Sequence, residues 1–333
     1  MRVSQRSQSE TIAHWLGARW RVWLGAALSL LCLAWLILAT DWPATGAVLA
    51  HADPRLLAAA IALNVLTVPL RAARWRLLFP PQRPPGWGRL MAALLIGQAV
   101  NQIAPARLGD LARATFVGSE PTVFVLGTQM IQVAVDLLMT VLLVTVLLFQ
   151  TALPDWWRGS ALAVAATASA AVAVVGLLFV VRAPLMAWLH RIAPRWPFPL
   201  VQRLLALIEL FLGSLDALQR PAAMLSVLAW SAALWIVYGL TNYAVMVAVG
   251  AAAPLLAAYF VLVVLQLGVA VPSSPGRIGV FHYLSVQALA VFAVPRAQAV
   301  SFAIVLHLIA VVLPMLAGGV LAWRMGVRLT GDR

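Results

Sequence analysis

Apolar residues in this chain come in long runs rather than in the short alternations of a half-buried sheet. Six runs, at 22–39, 56–78, 123–149, 160–181, 222–248 and 299–323, approach or exceed the roughly 20 residues that a helix needs to cross a bilayer. Two further apolar regions, 89–118 and 255–293, are interrupted by proline, arginine and glycine. The interruptions read Pro105-Ala106-Arg107-Leu108-Gly109 and Pro275-Gly276-Arg277-Ile278-Gly279. Chance predicts about 0.1 copies of Pro-x-Arg-x-Gly at this composition, even before the Leu/Ile position is counted, so two copies point to internal duplication. The pattern predicts an all-α polytopic transmembrane bundle with two broken or re-entrant helical regions.

Composition agrees with that class: 63% of residues are hydrophobic and 10% charged, and mean hydropathy is +0.96. The whole chain, 1–333, reads as one integral membrane domain with no sizeable soluble part. Its net charge of +13 is carried by arginines at the ends of apolar runs, which marks membrane topology rather than a nucleic-acid partner. Cys32, the single cysteine, permits no intrachain disulfide. The run from Val22 follows Arg19 and Arg21 without a convincing cleavage site, so a retained signal anchor is expected.

Charge also orients the runs. The basic segments 1–21, 71–89, 182–221 and 326–333 are expected on the cytoplasmic side, together with both termini. The loops 40–54 and 150–157, with Asp41, Asp53 and Asp155, fit the outside. Segment 182–221, with Trp188, Trp196 and Phe198 among its arginines, reads as an amphipathic linker on the membrane surface. It separates a first half, 22–181, from a second, 222–325. All basic segments fall inside only if 89–118 enters from the cytoplasm and returns there. The region 255–293 then enters from outside, either as a re-entrant hairpin or as two full spans of the same parity. Two turns entering from opposite faces are the signature of an inverted-topology repeat.

An arginine at bilayer depth costs at least ~2.5–3.5 kcal/mol on insertion scales, so Arg107 and Arg277 either line a cavity, pair with an acid or snorkel to an interface. A guanidinium fork also matches phosphate. Asn101, Asp110 and Arg113 add polar groups beside the first turn, Asp110 and Arg113 at the spacing of an ordinary helix ion pair. Gln129, Gln132 and Asp136 share one helix face inside an apolar run. Asp136 is then a proton or ion carrier, or the partner of an arginine such as Arg107 or Arg277. His282 and His307 stand in later apolar segments as further coupling candidates or as ordinary interhelical hydrogen bonders. The run Arg71-Ala72-Ala73-Arg74-Trp75-Arg76 reads as a cytoplasmic anchor belt or a headgroup contact through Arg74. No nucleophile elbow, phosphate loop or metal-binding histidine pair occurs, so no catalytic residue, metal or cofactor is expected.

Three motifs carry a resemblance: Arg71-x-x-Arg74-Trp75, Asn101-x-x-x-Pro105-x-Arg107-x-Gly109-Asp110-x-x-Arg113, and Pro272-x-x-Pro275-Gly276-x-Ile278-Gly279-Val280-Phe281. At these residues the chain resembles the flippase-like membrane region of lysylphosphatidylglycerol synthases and its stand-alone relatives. The resemblance implies a multispan protein of the bacterial inner membrane that handles a polar lipid. It also implies Glu where Asp110, Gln132 and His282 stand, and Arg where His307 stands. The chain carries no soluble aminoacyl-transferase domain, so synthase activity is not expected.

Residues and resemblance together predict a lipid flippase. Arg107 and Arg277 would bind an anionic headgroup in a cavity between two repeats, with Asp136 and Asp110 balancing their charge. The expected partners are membrane lipids, either an anionic phospholipid or a lipid-linked substrate. The alternatives are a membrane transferase acting on a lipid carrier, for which Asp41, Asp53 and Asp155 are the available acids, and an accessory subunit of an envelope lipid or polysaccharide system.

Overall fold

The computed structural model describes residues 24–104, 108–118, 120–149, 155–192, 198–268 and 274–326. Among these there are helices and no strand. In chain order they are α1 (Leu24–Leu38), α2 (Trp42–Ala50), α3 (Pro54–Arg76), α4 (Trp87–Ile103), α5 (Leu108–Val117), α6 (Thr122–Leu148) and α7 (Asp155–Ile192). There follow α8 (Pro199–Gly213), α9 (Pro221–Ala248), α10 (Leu255–Gly268), α11 (Val280–Ala290), α12 (Arg296–His307) and α13 (Leu313–Arg324). The segments 1–23 and 327–333, together with Pro105, Arg107, Arg195, Trp196 and Pro272, lie outside the described residues.

Helices α3, α6, α9, the Ala165–Arg191 part of α7, and the α12–α13 stretch Arg296–Arg324 are long and apolar enough to span a membrane. The α1–α2 pair, bent by 85°, makes a sixth if its two helices are taken together as one broken span. These are the six runs read from hydropathy, so the chain is a multi-pass membrane protein. The two interrupted regions are built differently. With 17 and 10 residues, α4 and α5 reach only about 26 and 15 Å at 1.5 Å per residue. The 14 and 11 residues of α10 and α11 reach about 21 and 17 Å. Each of these four helices is shorter than the ~30 Å hydrocarbon core, so none crosses it alone.

Both pairs are antiparallel hairpins. Gly97 of α4 lies against Gly109 and Arg113, while Asn101, one turn later, meets Gly109 again, so the contacts step backward along α5. Gly268 at the end of α10 touches Leu284, and Phe260, two turns earlier, meets Phe292 just beyond α11 edge to face, with centroids 5.5 Å apart.

The chain forms two compact units that do not follow the halves drawn from the sequence. One joins the chain up to Leu57 with Asn242–Val311; the other joins Ala58–Thr241 with the chain from Val312 on. The second unit has its core around Trp75, Phe79, Leu94, Val117, Ile131 and Leu212, where α3, α4, α5, α6 and α8 meet. The first is filled by Leu36, Met246, Phe260, Leu289 and Phe302.

Two readings of the connections need correction. Segment 40–54 is not a plain loop, because Asp41 caps a helix by accepting from the Ala44 amide at 3.0 Å and Pro43 supplies a preset first turn. The surface linker does not begin at residue 182, because α7 continues unbroken through Arg182 and Pro184 to Ile192. Beyond it, α8 exposes Leu200, Leu204, Leu207 and Ile208 along one face.

Candidate functional site

In the larger unit the last turns of α3 carry an arginine pair that turns inward. Arg74 is 3% exposed and Trp75 fully buried, so this part of the run is not a belt on the membrane surface. The Arg74 guanidinium grips both Asp136 carboxylate oxygens, at 2.5 and 3.1 Å. It also donates to Ser231 Oγ of α9 at 3.1 Å and to Gln132 Oε1 at 3.4 Å. Asp136 therefore pairs with Arg74. A buried guanidinium must find an acid, and the bidentate fork satisfies it more fully than a single contact. Arg71 reaches Gln98 Oε1 at 2.9 Å, and the Trp75 indole donates to Thr128 Oγ1 at 2.9 Å. The Arg-x-x-Arg-Trp motif thus ties α3 to α4, α6 and α9.

The same unit holds the α4–α5 hairpin by side chains. Asn101 accepts the Gly109 amide at 2.8 Å and donates to Asp110 Oδ1 at 3.0 Å. Asp110 lies 3.5 Å from Arg113, and Gln129 of α6 donates to the Asp110 carbonyl at 3.0 Å. The glycine of the repeated pattern has a steric reason here, because a Cβ on Gly109 would run into the Gly97 carbonyl.

In the other unit the α10–α11 hairpin turns through a 3-10 segment, Pro275–Arg277, and side chains of α1 and α12 bond its main chain. Gly276 and Arg277 are both left-handed, at φ 69° and 57°, and Gly279 follows at 89°. For Arg277 that conformation is strained and persists only because its surroundings fix it. Ser29 Oγ of α1 accepts the Ser274 amide at 2.7 Å, and a Cβ on Gly279 would strike the Ser29 carbonyl. From α12, His307 Nε2 donates to the Gly276 carbonyl at 2.8 Å. Immediately after His307 the helix widens into a π turn, Leu308–Val312, a form frequent at functional sites. His282 lies beside His307 with ring centroids 4.8 Å apart, Phe281 packs on both, and His282 Nδ1 is buried without a partner.

The residues singled out in the sequence therefore fall into separate clusters. Arg74 and Asp136 form one; Asn101, Asp110 and Arg113 form a second, joined to the same helix α6 through Gln129. His282 and His307 form a third around the turn of half-buried Arg277. Missed in the sequence were Ser231, Ser29, Gln98 and Thr128, small polar residues inside apolar runs whose partners are remote along the chain. His282 and His307, the two positions where the resemblance implies Glu and Arg, are in contact with each other. Among the described residues no group of three or more His, Cys, Asp or Glu comes together as a metal site.

No solved structure matches the chain. A 97-residue stretch, 28% of the chain, is 39% identical to a protein of Haloferax volcanii named glycosyltransferase AglD, and it covers 15% of that protein's length. The profile described as the lysylphosphatidylglycerol synthase TM region matches residues 22–318. Together with the buried Arg-x-x-Arg-Trp corner and the two hairpins, that match assigns the chain to the family of lysylphosphatidylglycerol synthase transmembrane regions.

Proposed function

We propose that this protein is a lipid translocator of the bacterial inner membrane, with both termini cytoplasmic, and that the arginine at each hairpin turn binds an anionic lipid headgroup. The observation that carries the reading is that the two regions holding the pattern are each a pair of short antiparallel helices, α4–α5 and α10–α11, with Gly109 and Gly279 pressed against a neighbouring backbone. Such hairpins put polar backbone and a guanidinium at bilayer depth, where a passing phosphate is a better ligand than hydrocarbon. The recurring order of a hairpin followed by a helix whose polar residue touches it, Gln129 of α6 and His307 of α12, supports an origin by duplication, and the charge pattern of the sequence sets the copies in opposite senses. Arg107 and Arg277 are the headgroup ligands, and Asn101, Asp110 and Arg113 form the polar border of the first turn. Asp136 serves Arg74 as a structural clamp. Proton or ion coupling falls to His282 and His307, which border the second turn.

The test is headgroup accessibility of labelled phosphatidylglycerol in proteoliposomes. Wild type should equilibrate the leaflets and Arg277→Ala should not; equal rates would refute the assignment. The printed name of the archaeal relative favours a second reading, glycosyl transfer to a lipid carrier. Formation of a glycosylated lipid by the purified protein from labelled sugar nucleotide would establish it in place of translocation.

A further inference from the structure

The histidine pair beside the second turn sits among helices without acids. Among the described residues of the unit that holds this turn, Asp41 and Asp53 are the only carboxylates. Each caps a helix: Asp41 accepts the Ala44 amide at 3.0 Å and Asp53 the Arg55 amide at 2.8 Å. Helices α10, α11 and α12, with α1 against α11 at Trp35–Tyr283 and α2 against α12 at Thr45–Ser301, otherwise carry Cys32, Tyr259, Tyr283 and Arg296 as titratable or charged groups. Arg296 lies over the Trp35 ring at 4.2 Å, and the Tyr283 hydroxyl accepts from Gln287 at 3.2 Å. His51, past the end of α2, bonds the Ala47 carbonyl, and the turn itself adds Arg277.

His282 and His307 are 9% and 6% exposed, and their rings lie 4.8 Å apart between centroids at a 40° tilt. Neutral, they need no counter-ion: His307 Nε2 donates to the Gly276 carbonyl, and Phe281 packs on both rings. An added proton changes the balance. It falls to His282 Nδ1, which is buried without a partner and then becomes a charged donor lacking an acceptor. The acceptors next to it are the second ring nitrogen of His307 and, through that ring, the Gly276 carbonyl. Bonding either one alters the ring contact that positions the clasp. The helix has slack for such a change, because the π turn Leu308–Val312 starts directly after His307 and holds one residue more per loop than an α turn. The hairpin turn has a reason to respond, because Gly276 and Arg277 are held left-handed at φ 69° and 57° by the His307 bond and the Ser29 bond to Ser274. We propose that His282 and His307 form a proton-operated latch on the second turn. With both rings neutral the Gly276 carbonyl is held and Arg277 is fixed; a proton on the pair parts the rings, frees the carbonyl and lets Arg277 leave its left-handed conformation. The latch stands on the geometry of the turn; its consequence, a headgroup site weakened by acid, rests on the reading of Arg277 as a headgroup ligand.

Hydrogen–deuterium exchange of the purified full chain tests it, read by mass spectrometry at about pH 7.5 and about pH 5.5, either side of ordinary histidine titration, and corrected for the intrinsic pH dependence of amide exchange. Peptides covering 274–283 report on the turn, where the Arg277 amide bonds the Ser274 carbonyl and the Tyr283 amide that of Gly279. In wild type they should exchange about fivefold faster at the lower pH, the factor for one lost hydrogen bond, while peptides from α6 stay unchanged. His282→Phe keeps a ring in the contact but takes no proton, so it should exchange slowly at both pH values. His307→Phe lacks the donor and should exchange fast at both. A wild type that does not respond, a full acid response in His282→Phe, or slow exchange in His307→Phe would overturn the latch. The wild-type comparison needs no substitution, so it decides even where a variant does not fold. Translocation lost in Arg277→Ala beside a turn indifferent to acid would refute the latch and leave the translocator reading; an acid-responsive turn in a protein that moves no lipid would do the reverse.

Discussion

The two hairpins share a pattern and a shape, yet they are held by different chemistry. The α4–α5 hairpin is clasped by charged and amide side chains: Asn101, Asp110 and Arg113, with Gln129 reaching in from α6. In the α10–α11 hairpin Ser29 of α1 accepts the Ser274 amide and His307 of α12 donates to the Gly276 carbonyl. Main-chain groups are thus held by side chains in both, by Asn101 and Gln129 in the first and by Ser29 and His307 in the second. The first adds a carboxylate–guanidinium pair, Asp110 with Arg113; the second adds the left-handed run of Gly276 and Arg277. A five-residue pattern therefore specifies that the chain turns; its neighbours determine how rigidly the arginine is presented.

Removing the acid that supports the first hairpin's framework should have the largest effect on stability. Asp136→Ala leaves Arg74 buried without its counter-ion, at a cost of about 3 kcal/mol in the range for broken buried pairs. Reversible unfolding in mixed micelles measures it, and a loss below 1 kcal/mol would mean that water already screens the pair. Next come the two pattern glycines. Gly279→Ala meets both a positive φ and the Ser29 backbone, whereas Gly109→Ala meets the Gly97 carbonyl and the Asn101 side-chain amide but no positive φ. The first should destabilise by roughly 2–3 kcal/mol and the second by about 1–2 kcal/mol. A reversed order would show that α4 is the less yielding neighbour. The smallest change is His307→Phe, which keeps the ring packing but removes the donor to Gly276, costing about 1 kcal/mol. It should slow translocation through the second turn, and His307→Gln, which retains a donor, should recover part of the rate.

Much of this architecture was visible in the sequence because the bilayer is a strict solvent. Apolar length alone gave the six crossings, and Pro with Gly in an apolar run marked both hairpins. What hydropathy does not carry is pairing. Arg74 lies at the charged end of a run and is easily read as an interfacial anchor; only the packing of α3 against α6 and α9 turns it toward Asp136 and Ser231. His282 and His307 likewise read as two lone histidines until α11 and α12 bring their rings together. The helix α2 was hidden for a different reason: nine residues are too few for a span, and the Asp41-Trp42-Pro43 capping signal is local and short.

The central claim is that both Pro-x-Arg-x-Gly turns serve one transport pathway. Phosphatidylglycerol translocation in proteoliposomes by Arg107→Ala, Arg277→Ala and the double variant, at matched folded protein, tests it most directly. Residues acting in one pathway are non-additive, so each single variant should lose nearly as much rate as the double. Wild-type rates in either single variant, or two partial losses that multiply in the double, would contradict it.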